Sequence, residues 1–198
     1  MMTLAGLMLV AGYHPWHVEN EDVIQCAGNT VVSTSPWQFD VLGCGELHIG
    51  SHHLGDDGAK ALAEELKKPN TQLEKLYIPH NEIGDEGAIA LADMLKGNQV
   101  LHTLGLQDNS IGDKGARALA EAISRNDALH TLDFALNAIG DEGATALAEA
   151  IKTQIALYHL IVSPGNDSIG KEARSKIAKA LRMPGRMDAA AGRKKAEL

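Results

Sequence analysis

The chain has 198 residues, of which 44% are hydrophobic and 22% charged, and it carries a formal charge of −8. That is enough apolar material for one domain-sized core, and the lack of a basic face excludes nucleic acid as the main partner. The charge is uneven: no Lys or Arg precedes Lys60, whereas residues 182–198 carry +3.

The first apolar stretch, Leu4 to Ala11, is far shorter than the ~20 residues needed to cross a bilayer, so no membrane partner is expected. It also lacks the basic start and small-residue cleavage site of a secretion signal. Residues 1–43 follow no repeat, yet they hold Tyr13, Trp16, Trp37 and Phe39, four of the seven aromatics. They are read as an N-terminal cap, with strands around Thr30–Ser33 and near Gln38–Leu42; a mostly disordered leader is the rival. The only cysteines, Cys26 and Cys44, suit a reducing compartment, and the cytoplasm is expected.

From Cys44 the chain repeats itself. Segments beginning at Leu73, Leu101 and Leu129 superpose at intervals of 28 residues without a gap, aligning Asn81 with Asn109 and Asn137, and Gly84 with Gly112 and Gly140. A copy from Cys44 puts His52 in the Asn position, and a copy from Leu157 has an insertion around Pro164-Gly165. Five units result, each reading LxxLxLxxNxIGDxGAxxLAxxL, within a solenoid expected over residues 44–185. Residues 186–198, with Arg193-Lys194-Lys195, read as a loose tail.

Each fixed letter has a physical reason. Alternation in Leu101 to Leu106 predicts a short strand pointing Leu104 and Leu106 inward, with Thr103 and Gly105 outward. Asn109, at the turn, can both donate to and accept from backbone groups, and its equivalents should form a ladder. Ile111 enters the core, Gly112 permits an unusual backbone angle, and Asp113 is placed to cap the helix starting near Lys114. Ala116, Leu119, Ala120 and Ile123 make one apolar helix face, which only stacking of units can bury.

This pattern resembles the ribonuclease-inhibitor type of leucine-rich repeat, also found in Ran GTPase-activating proteins and NOD-like receptors. The resemblance covers roughly residues 44–181. It implies an α/β fold: a right-handed β/α solenoid forming a short horseshoe arc, with a concave parallel sheet and outer helices. It also implies a protein or peptide ligand on the concave sheet or its rim.

The register lets the outward residues be written as rows. The first is Glu46, Lys75, Thr103, Thr131, His159; the second His48, Tyr77, Gly105, Asp133, Ile161; the third Gly50, Pro79, Gln107, Ala135, Ser163. A rim row adds Ser51, His80, Asp108 and Leu136. Lys75, Tyr77, Gln107, Asp108, Thr131 and Asp133 are the expected contact residues, with Tyr77 as an exposed anchor.

Other chemistry is weighed and set aside. His102 and His130 fall in the same place in adjacent units, too few ligands for zinc without a carboxylate. His48, His52 and His53 are read as turn residues. Gly165 to Glu172 nearly spells a P-loop, but Glu172 stands where a hydroxyl must hold magnesium. Asp85, Asp113 and Asp141 recur once per unit, as folding residues do and a single active site does not. The expectation is a monomeric, non-catalytic protein-binding module without metal or cofactor. A regulator of a small GTPase and a piece of a longer repeat array are the alternatives. Asn166-Asp167-Ser168 matches a glycosylation sequon that matters only for a secreted chain.

Overall fold

The computed structural model describes residues 25–26, 29–30, 33–34, 37–41, 43–69, 71–154 and 156–182. The Leu4–Ala11 stretch and the 186–198 tail lie outside these residues. Four two-residue strands come first: β1 (Gln25–Cys26), β2 (Asn29–Thr30), β3 (Ser33–Thr34) and β4 (Trp37–Gln38). Strand and helix then alternate through β5 (Glu46–His48), α1 (Gly55–Leu66), β6 (Lys75–Tyr77), α2 (Asp85–Gly97), β7 (Thr103–Gly105) and α3 (Asp113–Ile123). The series ends with β8 (Thr131–Asp133), α4 (Asp141–Thr153), β9 (His159–Ile161) and α5 (Lys171–Leu181).

Strands β5 to β9 are parallel neighbours in chain order, and β1 extends their sheet by pairing antiparallel with β5. The register agrees with the alternation. Leu47, Leu76, Leu104, Leu132 and Leu160 are mutual partners and all buried, while Lys75, Thr103, Thr131 and His159 align on the other face. Behind the sheet, Leu91, Leu119 and Leu147 of the helices lie in the same core, and the small Ala88, Ala116 and Ala144 let the helices sit close. At the first unit Phe39 and Val41 are buried, and Trp37 stacks on Phe39.

The Asn positions form the expected ladder, bonding each turn to its neighbour. Asn109 Nδ2 donates to the Ile78 and Leu106 carbonyls at 3.0 and 3.1 Å, and its Oδ1 accepts from the Asn81 and Ile83 amides at 3.1 and 3.0 Å. Asn166 does the same work in the last unit and is buried, which removes it as a glycosylation acceptor. His52, in the Asn position of the first unit, keeps part of this pattern: its backbone amide donates to Asn81 Oδ1 and its Nδ1 bonds the Gly50 carbonyl, as Asn81 bonds Pro79, while its Nε2 is buried without a partner.

The capping expectation is corrected. Asp113 opens its own helix without capping it; its Oδ1 accepts from the amides of Gly140 and Gly143 in the next unit, both at 2.8 Å. Asp56 caps Gly84 and Gly87, and Asp85 caps Gly112 and Gly115, in the same way. Satisfying orphan amides across the unit boundary ties one helix to the next. The glycine expectation is corrected with it. Gly112 is extended, with φ −99° and ψ −162°, and its amide donates to Asp85 Oδ1 at 2.9 Å; a Cβ there would touch that carboxylate at 3.4 Å, an ordinary contact. The second glycine is tighter: a Cβ on Gly115 would lie 2.8 Å from Ala88 Cβ and 2.9 Å from Asp85 Oδ1.

Two further devices escape the sequence reading. Asn98, Asn126 and Gln154 form a second buried amide ladder at the far ends of the helices; Asn126 Nδ2 reaches the Leu95 and Asn98 carbonyls, both at 2.7 Å. At the fifth unit Arg174 stands where the inner units have Ala88, Ala116 and Ala144. The Ile83 and Ile111 carbonyls accept from the next unit's Ser110 and Ala138 amides, but Ile169 O accepts from Arg174 Nε at 2.9 Å. Arg174 also reaches Asn166 O and Ser163 Oγ. A side chain thus supplies the donor that a following unit supplies elsewhere.

Candidate functional site

The face of the sheet turned away from the helices carries the residues that differ from unit to unit. Strand pairing fixes their order: Glu46, Lys75, Thr103, Thr131 and His159 in one row, and His48, Tyr77, Gly105, Asp133 and Ile161 in the next. At ~4.8 Å between strands, five strands make a strip about 20 Å across.

The N-terminal half of this strip is internally paired. Lys75 Nζ lies 2.9 Å from Glu46 Oε2 and His48 Nε2 lies 2.8 Å from Glu46 Oε1. Lys75 and then His48 hold the Glu46 carboxyl below the usual carboxylate range. The Tyr77 ring stacks on His48 with centroids 4.6 Å apart. Tyr77 is half-buried, not the exposed anchor expected, and burial raises its phenol. The cause is Gly105, which the expectation turned outward but which is buried. Its missing side chain leaves a notch where Tyr77 Cδ1 and Gln107 Oε1 would come within 2.8 and 2.9 Å of a Cβ.

Gln107 connects that notch to the C-terminal half. Its Nε2 donates to Asp133 Oδ2 at 2.7 Å, and the Ala135 amide donates to Asp133 Oδ1 at 2.9 Å. Thr131 is half-buried beside them on β8, so Tyr77, Gln107, Thr131 and Asp133 share one continuous surface. Asp108 sits on the rim instead, exposed, with its carboxylate 2.6 Å from His80 Nδ1. In the third row Pro79 and Ala135 are buried by their neighbours.

The rim row has a shared backbone state. Ser51, His80, Asp108 and Leu136 have φ of 59°, 54°, 50° and 58°, left-handed values that the turn imposes on the first four units. The row is visible in the sequence by register, but its conformation is not, since only glycine would advertise it and none is used.

The described histidines are drawn into other contacts. His102 and His130 stack at 5.0 Å between centroids, and Tyr158 follows His130 at 5.3 Å. Among the described residues no group of three or more His, Cys, Asp or Glu side chains is placed to hold an ion. The P-loop-like segment is equally accounted for, because the Asp141 carboxylate already accepts from the Gly170 amide opening α5, where a phosphate would sit. No helix among the described residues is long and apolar enough to cross a membrane. Cys44 is buried and disulfide-bonded, which the reading of two thiols in a reducing compartment does not anticipate.

A model of the family described as "Leucine Rich repeat" matches residues 46–63, 70–92, 97–120 and 126–148. No curated protein matches the chain at a significant level. Among solved structures, leiomodin-1 actin-binding site 2 is similar with a TM-score of 0.62 at 22% identity, over 76% of this chain and 85% of that one. The tropomodulin C-terminal domain of Caenorhabditis elegans is similar with a TM-score of 0.63 at 17% identity, over 78% and 90%. At these identities the likeness is one of fold.

Proposed function

From the premise that the chain is a leucine-rich-repeat solenoid, we propose that it is a protein-binding module presenting its concave parallel sheet to a protein or peptide ligand. The observation that carries this reading is the division of labour across the repeat. Residues that recur, such as Asn81, Asn109 and Asn137 or Asp85 and Asp113, are consumed by bonds between units. Residues that vary, Lys75, Tyr77, Gln107, Thr131 and Asp133, share one rigid face and need little further ordering on contact. Asp108 extends that face to the rim.

The module is proposed to be monomeric and non-catalytic, of the ribonuclease-inhibitor type, with residues 1–43 as its N-terminal cap, residues 44–185 as the solenoid and 186–198 as a tail. Buried Phe39 and Val41 and the pairing of β1 with β5 support the cap. In the last unit Arg174 Nε takes the Ile169 carbonyl, the acceptor that the next unit's amide takes at Ile83 and Ile111. A cytoplasmic location is the reading from cysteine count; the disulfide at Cys44 argues for an oxidising compartment, and thiol titration of protein taken from its own cells separates the two.

One structural neighbour is titled as an actin-binding site, so filamentous actin is the first partner to try by co-sedimentation. The general test is affinity capture from extract with the wild-type chain, with Tyr77→Ala and Asp133→Ala, and with the helix-side control Arg117→Ala. Partners lost with the first two substitutions and kept with the third support the concave face; the opposite pattern rejects it.

A further inference from the structure

The carboxylates of the concave side differ in their partners. Glu46 has Lys75 and His48, and Asp108 has His80. Asp133 receives hydrogen bonds only from neutral donors, the Ala135 amide and the Gln107 side chain; the one ionisable group acting on it is His159 of β9, which is not within ion-pair distance. Its position is half-buried, and that burial holds its carboxyl above the usual carboxylate range. Folding does not ask for an acid there, because the equivalent residues of the other units are His48, Tyr77, Gly105 and Ile161. Beside it Gln107 Oε1 is a second acceptor, buried and without a donor. Together they offer a carboxylate without a Lys or Arg partner and an amide oxygen without a donor.

Beyond Asp133, toward β9 and its rim, an apolar patch adjoins the polar Gln107, Thr131 and His159. Ile161 is the register partner of Asp133 on β9 and is half-buried, and Pro164 is exposed just beyond. Leu136 is 47% exposed and stands in the left-handed region at φ 58°, where the other units place Ser51, His80 and Asp108. A bulky aliphatic residue is disfavoured there and gains nothing from water. Leu136 lies over Gly165, where a Cβ would come within 2.3 Å of its Cδ2, so the leucine is held in place at the surface.

We propose that this half of the concave strip recognises an extended protein segment bearing a lysine or arginine followed closely by an aliphatic residue. Asp133 receives the cation, and Ile161, Leu136 and Pro164 receive the aliphatic side chain. Alternate residues of an extended segment lie about 6.8 Å apart, which carries the second side chain from β8 to β9 and its rim. This inference rests on the protein-binding reading above and specifies the chemistry of the ligand.

The test is selection of phage-displayed random octapeptides on the full chain, followed by affinity measurement on a synthetic representative. The expected pool carries Arg or Lys with an aliphatic residue two positions away, on the same face of the extended segment. Asp133→Asn, which keeps an acceptor for the Ala135 amide, weakens binding about tenfold or more, and replacing the peptide's arginine by citrulline does the same on unaltered protein. Leu136→Asn, compatible with the left-handed turn, weakens it too. A pool without basic residues, or affinity unmoved by Asp133→Asn and by citrulline, overturns the inference. Thr131→Trp, which fills the strip beside Asp133, distinguishes the two levels. If it blocks peptides that lack a basic residue, the concave site stands and only the ligand chemistry fails. Peptides that bind regardless of it, or a library that yields no binder, overturn both.

Discussion

Asp113 and Gly143 belong to successive helices, yet the carboxylate of the first accepts from the amide of the second at 2.8 Å, so each helix start is capped by the unit before it. Asp113→Ala is therefore expected to loosen two units at once and to lower stability in urea unfolding by about 1–2 kcal/mol. Asp141→Ala should lose less, since Asp141 bonds only the Gly170 amide. Equal losses at the two positions would contradict the asymmetry.

Two helical glycines should respond with opposite signs. Gly115→Ala puts a methyl within 2.8 Å of Ala88 Cβ and Ile111 Cγ2, and the overpacking is expected to outweigh the propensity gain, for a net loss of about 1–3 kcal/mol. Gly97→Ala, at the end of α2 with nothing within 4 Å of its Cβ, is expected to gain about 0.4–1 kcal/mol. Thermal melts of the two variants check this.

Arg174→Ala removes the donors to Ile169 O, Asn166 O and Ser163 Oγ. Hydrogen exchange should then accelerate in α5 and the turn before it, with α2 and α3 unchanged. Arg174→Lys should rescue little, because an ammonium cannot span three acceptors as a planar guanidinium does.

Burial raises the Asp133 carboxyl in the folded chain, so the native state binds its proton more tightly than the unfolded state does. Asp133 thus favours folding at pH below the ordinary carboxylate range, and that contribution disappears as pH rises through its raised native value. Asp133→Asn should raise the melting temperature at pH 7, with the advantage vanishing near pH 3. An advantage that grew on acidification would reverse the sign of the argument.

The strand register and the rows on the concave face are legible in the sequence, because leucine alternation and a 28-residue period leave one way to stack the units. What is not legible are the bonds that cross between units. Asp113 sits at a helix start, where a local cap is the simplest inference, and only the stacking distance shows the carboxylate reaching Gly140. Asn98, Asn126 and Gln154 do recur every 28 residues, but Gln154 differs in type, and polar residues at a helix end are also what solvent exposure would place there. The candidate site divides likewise. Its membership follows from register, whereas the tipping of Tyr77 over Gly105 depends on a side chain that is absent and so leaves no pattern.

The most direct measurement of the central claim is the dissociation constant of a captured partner for Thr131→Trp and Asp133→Ala set against Arg117→Ala, each confirmed as folded. The account predicts losses of about tenfold or more for the two strand substitutions and an unchanged value for the helix-side one. Full affinity in the strand variants together with a loss in Arg117→Ala would place recognition on the helices and contradict it.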